Sequence, residues 1–250
     1  MNRPWHRFGL LPLLLAVSAN AYILPPASIL RRMSEARDEL QVSNLKVDGM
    51  LTFANSTARS ASVALGGVGR SEVQVDALLL MKLPGRCRLE ATTPEGSRSV
   101  AIWSHGKERT EGARLDELVA VLGQICPFLA ARSSNEAETQ AAVDRHLRAL
   151  KVDVRTASLG RLGSQVAYVL GAAAEGQSQF WVYKDTFLPA RVRWADPDKK
   201  LWDIRFLDYG SPISGESFPR VVELYRDGEL LLRFAGLKSD ARSALADKLF

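Results

Sequence analysis

The last third of the chain alternates apolar and polar residues with a period of two. Ala190, Val192 and Trp194 alternate with Arg191 and Arg193; Trp202, Ile204 and Phe206 alternate with Asp203 and Arg205. That period places each set on one face of a sheet. Pairing Trp194 with Trp202 sets Val192 against Ile204 and Ala190 against Phe206, with residues 196–200 as the polar loop. Asp227-Gly228 signals a second hairpin, with two registers open. A two-residue turn pairs Arg226 with Glu229 and sets Glu223 among Tyr225, Leu230 and Leu232. A three-residue loop with Gly228 in a bulge pairs Tyr225 with Glu229 and gathers Val222, Leu224, Leu230, Leu232 and Phe234 on one face. A slip of one residue inverts every side chain, so the bulged register is preferred: it keeps Glu223, Glu229 and Arg233 off the apolar face.

Upstream, the spacing predicts a helix over 28–40, with Ile29, Leu30, Met33 and Leu40 near one face. Leu45, Val47, Gly49, Leu51 and Phe53 then alternate as a strand. Residues 55–69 are small and polar, with Gly66-Gly67, and read as a loop or weak strand. A long strand over 73–83 carries Val73, Val75, Ala77, Leu79 and Met81 on one face. Shorter strands hold Cys87 with Leu89, and Val100 with Ile102, the latter ending at Trp103. The period then changes. Leu115, Leu118, Val119, Leu122, Ile125, Cys126 and Leu129 follow three-four spacing, predicting an amphipathic helix over 115–128 with Pro127 near its end. Ser133 and Glu136 have capping-box spacing for a second helix toward Leu150. Strands resume at Val152 and over 165–170, and Ser239 is placed to cap a short C-terminal helix carrying Leu245 and Leu249.

A run of strands interrupted by a helical insertion and flanked by terminal helices predicts an α+β fold: an open antiparallel sheet of roughly ten or eleven strands, strongly curved, with helices over its concave face. The apolar face of the late strands and the stripe of the 115–128 helix are natural partners.

Residues 1–21 have the form of a secretory signal: Arg3 and Arg7, a short apolar run over 8–17, and Ala19-Asn20-Ala21 as a small-x-small cleavage site. Tyr22, not cysteine, follows, so no lipid attachment is indicated. Removing 1–21 from the 250 residues leaves 229, expected to form a single domain. Losing the two arginines lowers the formal charge from +5 to +3, too small a surplus to argue for nucleic acid. Cys87 and Cys126, the only cysteines, become disulfide candidates in an oxidising compartment; the alternative is two buried free thiols.

Catalytic motifs are absent. His105 and His146 lack metal-ligand spacing, no G-x-S-x-G elbow occurs, and the glycines at 66–69 are followed by no phosphate-loop lysine. Asp203 with Asp208, or Glu90 with Glu95, read as solvated strand charges rather than paired catalytic carboxylates. The expectation is no enzyme, no cofactor and no metal.

Trp181-Val182-Tyr183-Lys184-Asp185, then Leu188-Pro189, then Arg191-Val192, resembles the strand–turn–strand of the outer-membrane lipoprotein carriers, LolA, LolB and their relatives. The order of elements is similar too. The resemblance implies a half-barrel with an apolar groove between curved sheet and helices. It further implies a soluble, monomeric, periplasmic carrier of lipid or acylated lipoprotein, exchanging with inner- or outer-membrane machinery. On this sequence the groove would be lined by Leu79, Met81, Val192, Trp194, Trp202, Ile204, Phe206, Leu224 and Leu232. The lid helix would present Leu115, Leu118, Val119, Leu122 and Ile125. Arg59 and Arg70 are candidates for the family's lid-closing arginine. The alternative function is a periplasmic sensor or protein-interaction module on the same fold; an envelope hydrolase ranks third, for want of a catalytic set.

N-terminal sequencing of protein exported to the periplasm is expected to begin at Tyr22. A mature form still starting at Met1 would overturn both the cleavage site and the compartment.

Overall fold

The computed structural model describes residues 23–131, 136–174 and 176–250. The signal segment and Ser133 of the capping box lie outside the described residues. Helix α1 (Pro26–Glu39) starts on a proline, which fixes φ for a first helical turn. It buries Ile29, Leu30, Met33, Ser34 and Arg37. Strand β1 (Asn44–Phe53) alternates half-buried and buried residues along its whole length, as the period-two pattern requires.

After β1 come a 3-10 turn (Asn55–Thr57) and helix α2 (Ala58–Ala64), where a loop or weak strand was expected. Ala58, Ala61, Ser62 and Leu65 keep helical spacing and are all buried. Their side chains are so small that the stripe carries little hydropathy, although alanine is the best helix former. Strands β2 (Val73–Lys82), β3 (Arg86–Thr92), β4 (Arg98–Ser104) and β5 (Lys107–Gly112) follow as a meander. β5 was not expected. It is an edge strand of sequence KERTEG, and charge along an exposed edge leaves no apolar alternation.

Helices α3 (Asp116–Leu129) and α4 (Glu136–Ala149) come next, each within a residue or two of expectation where described. Val152 is buried in the turn after α4 rather than in a strand. There the Asp153 carbonyl accepts from the Thr156 N–H and its carboxylate from the Arg155 N–H, a turn that delays the next strand. Strands β6 (Ala157–Leu162), β7 (Gln165–Leu170), β8 (Gln179–Tyr183), β9 (Pro189–Ala195), β10 (Leu201–Leu207), β11 (Val221–Arg226) and β12 (Glu229–Asp240) complete the sheet.

All twelve strands form one open antiparallel sheet in the order β5-β4-β3-β2-β1-β12-β11-β10-β9-β8-β7-β6. β1 and β12 pair in the middle, and the two halves step outward to opposite edges. α3 and α4 connect edge strand β5 to edge strand β6, so the helical segment passes from one edge of the sheet to the other. α3 lies on β3 and β4 and reaches β9, while α1 packs beside α4.

The late registers are informative. Trp194 opposes Trp202 and Val192 opposes Ile204. The last hairpin does not use the bulged turn. Arg226 opposes Glu229 across a two-residue turn, and Tyr225 opposes Leu230. The bulge lies one step further in, between Leu224 and Tyr225, so that Leu224 meets Leu232 and Val222 meets Phe234. One extra residue restores the inward parity of these four while placing Leu230 with Tyr225 instead. The extra residue, Leu231, is buried, and its carbonyl accepts from the Ala54 N–H and the Thr57 hydroxyl. Sequence spacing alone could not separate a bulge in the turn from a bulge in the strand.

β4 is the strand expected over Val100 and Ile102, and both are buried. Its inward residues are Ala101, opposite Leu89, and Trp103, opposite Cys87; Val100 and Ile102 are buried on the outer side, opposite Glu90 and Arg88. No C-terminal α-helix forms. β12 runs on to Asp240, Ser239 donates its hydroxyl to the Ile213 carbonyl, and only a 3-10 turn (Asp247–Leu249) follows. That turn is held by Lys82 and Arg86 on Asp247 and by Arg88 on the Leu249 carbonyl.

The β1–β12 pair has no room at Gly49. A Cβ there would lie 2.5 Å from the Ala235 carbonyl oxygen and 3.0 Å from the Phe234 ring. Gly49→Ala is expected to lower stability by about 1–3 kcal/mol, read as a reduced urea midpoint with an unchanged m-value.

Candidate functional site

The inward residues of the late strands and of β2 converge as the alternation requires. Leu79, Met81, Val192, Ile204, Phe206, Leu224 and Leu232 are all 0% exposed and belong to one core. Trp194 and Trp202 are half-buried at its margin, stacked with centroids 5.9 Å apart. From the helix, Leu115, Leu118, Leu122 and Ile125 are buried in the same core and Val119 is half-buried against it. The α3 stripe therefore fills the face expected to line an open groove. In this structure sheet and helix are mated and the groove is closed.

Three attachments hold the C-terminal end of α3. Cys126 is disulfide-bonded to Cys87 of β3, with Cα atoms 5.8 Å apart. The Gly85 N–H donates to the Ala130 carbonyl at 2.7 Å. Arg37 of α1 donates through Nη2 to the Leu129 carbonyl at 2.6 Å and through Nη1 to the Ser217 carbonyl at 2.9 Å. A guanidinium has the fork of donors that this double contact needs. Arg37 is 7% exposed, and burial pushes its pKa down from the usual arginine range; an arginine nonetheless stays charged. The Tyr209 hydroxyl lies buried with no hydrogen bond among the described residues, and burial pushes its pKa up.

Arg59 and Arg70, the arginines first considered for closing the cover, are exposed on and after α2. The arginine bonded to the end of α3 is the buried Arg37. The sequence carried a signal for it: Ile29, Met33 and Arg37 are spaced by four, which puts a lone arginine on the apolar stripe of α1. At the other end of α3, Leu115 makes no side-chain cap. Burial raises the pKa of Glu117 in that first turn, with Asp116 adding to the rise and Arg226 opposing it.

A cavity of about 530 Å³ opens where the end of α3 meets α4, the β2–β3 turn and the β4–β5 turn. Trp103, Cys126, Pro127, Ala142, Arg145 and His146 are among its walls. His146 Nε2 is 3.0 Å from Gln124 Oε1, and its ring meets the Phe128 ring edge-on at 5.1 Å. Phe128 in turn stacks on Phe180 of β8 at 4.5 Å. Burial pushes the His146 pKa down to about 4, so the imidazole is neutral at neutral pH. Among the described residues, no group of three or more His, Cys, Asp or Glu side chains is arranged to hold a metal ion, and no helix is long and apolar enough to cross a membrane.

No protein-family model matches the chain, and no curated protein matches it. Solved structures do. The chain is similar in fold to a LolA superfamily protein from Nitrosomonas europaea. That likeness has a TM-score of 0.46 at 15% identity and covers 91% of this chain and 98% of that one. A DUF1329 family protein from Desulfovibrio piger gives a TM-score of 0.47 at 12% identity, again over 91% and 98%. MucB, solved in complex with MucA, gives 0.34 at 13% identity over 88% of this chain and 57% of its own.

Protonating His146 should weaken the α3–α4 contact. Its folded pKa, about 4, lies below the unfolded value of 6.5, so between these values the unfolded chain binds the extra proton and stability falls as pH falls. The half-exposed ring is partly reached by water, so the loss is expected to be about 1–2 kcal/mol. Urea unfolding at pH 7 and pH 4.5 should show a larger loss for wild type than for His146→Leu.

Proposed function

We propose that the protein is a non-catalytic periplasmic carrier or binder of lipid or acylated ligands, which uses the inner face of a curved half-barrel sheet when the helical cover moves off it. The observation that carries this reading is the Arg37 clasp. A buried charge is held on two backbone carbonyls, one at the end of the cover helix and one in the 208–220 loop. An apolar pair of equal size would close a permanent core more cheaply, because the guanidinium has to be taken out of water. A clasp of directional hydrogen bonds suits a contact that is made and broken. The face beneath it, from Leu79 across to Val192, is apolar without interruption. Each methylene moved there from water gains about 0.8 kcal/mol, enough to retain an acyl chain. The Cys87–Cys126 bond keeps α3 attached to β3 during any such motion, so displacement would be largest at the uncapped first turn of α3.

A protein-interaction module is the second reading, favoured by the outer face of the late strands. There Arg191 lies over Trp181 at 5.1 Å and Arg205 over Tyr225 at 4.1 Å, the residue types enriched at interface hot spots.

Arg37→Leu removes the partner of both carbonyls and is expected to cost about 2–4 kcal/mol while leaving the circular dichroism spectrum folded. Uptake of a fluorescent fatty acid should be several-fold faster in Arg37→Leu than in wild type, and hydrogen exchange in α3 should rise. Folded protein that takes up no fatty acid in either form, but purifies in a stable lipid-free complex, would favour the second reading instead.

A further inference from the structure

The cavity beside His146 is distinct from the closed groove, and its chemistry is asymmetric. Its inner wall is uncharged. Cys126 is locked in a disulfide and has no thiol to ionise, the His146 imidazole is neutral, and Trp103, Pro127 and Ala142 supply apolar surface. The cavity's acidic and basic lining residues, besides the histidines His105 and His146, are Glu138 and Arg145. Glu138 already has a partner. Arg145 is exposed, and among the described residues no hydrogen bond or ion pair engages it.

The walls are also fixed in advance. The disulfide sets Cys126 against β3, and the Trp103 ring packs over Gly123, where an added Cβ would sit 3.5 Å from it. The Gln124–His146 contact joins α3 to α4. A pocket already shaped in the free protein spends little of its binding free energy on ordering. At about 530 Å³ it lies within the range of small-molecule sites.

We infer that this pocket binds a monoanionic amphiphile, a single carboxylate on a hydrocarbon tail, with the tail against Trp103 and Ala142 and the carboxylate at Arg145. The unpaired guanidinium selects the charge of the head group, and the uncharged interior selects the tail. The site stands independently of the carrier reading, because it needs no movement of α3 off the sheet.

Calorimetric titration of the whole chain with octanoate and with octanol at pH 7.5 tests the assignment. Octanoate should bind at one site. Ala142→Trp, a change at an exposed position of α4, should fill the pocket and weaken octanoate at least tenfold with an unchanged circular dichroism spectrum. Arg145→Glu should weaken octanoate about tenfold and leave octanol unchanged. No octanoate binding to wild type, an Ala142→Trp variant that binds as wild type does, or equal effects of Arg145→Glu on both ligands would each overturn the assignment. Octanoate affinity that follows Arg37→Leu rather than Ala142→Trp would place the ligand in the groove and overturn it equally.

Discussion

β1 and β12 pair in the middle of the sheet, and that pairing determines where the helices must go. Each half of the chain steps outward from this pair by hairpins, so the middle of the sequence ends up at the two edges. The link from β5 to β6 therefore has to travel the width of the sheet. It travels as helix because helices satisfy their own backbone groups while crossing an apolar face. The stripe of α3 and the inward residues of both halves then bury one another, which makes one core out of segments far apart in sequence. Close approach at Gly49 lets β12 bulge against β1 and still carry Phe234 inward. A failure at this central pair would separate both halves of the sheet and leave the helices without a floor.

Two kinds of attachment hold the cover, and they act on different quantities. The disulfide closes a 39-residue separation and stabilises chiefly by limiting the unfolded chain, on the order of 3–4 kcal/mol by loop entropy. It does not resist motion of α3 about Cys126. The Arg37 clasp acts on the folded state alone, because its geometry exists only when α1, the end of α3 and the Ser217 loop come together. Stability and closure are thereby separable.

Much of this architecture was legible where burial is one-sided and side chains are large. β1 and the β9–β10 register follow from alternation alone, because a slip would put Trp194 and Ile204 on the charged face. Legibility failed where the buried side chains are small, as in α2, and where an edge strand is charged throughout, as in β5. It failed again at the last hairpin, where two bulge positions give Leu232 the same parity and only the anchoring of the Leu231 carbonyl separates them. Each cysteine lay on an apolar stripe, which aims both at the sheet–helix interface, but their approach to 5.8 Å is set by how α3 crosses β3. The pocket was invisible for a related reason. Trp103, Cys126 and Ala142 come from a strand and two helices, and no local spacing joins them.

The charged groups inside and outside the sheet obey different rules. On the outer face Arg191 grips Asp203 with both arms of its guanidinium, and Arg205 joins the same carboxylate. These contacts depend on a carboxylate remaining ionised, and water reaches Arg205. Arg37 bonds only to carbonyls, which do not titrate, and it keeps its own proton. Neither acid nor salt therefore acts directly on the clasp. His146, by contrast, is held against Gln124 and Phe128 as a neutral ring, and acid charges it. The two helices beside α3 are thus expected to answer to different conditions: α4 to acid, through His146, and α1 to competing acceptors for its guanidinium. On the carrier reading proposed above, a ligand opening the groove has to supply the free energy to break that second contact, and apolar burial beneath α3 is its natural source.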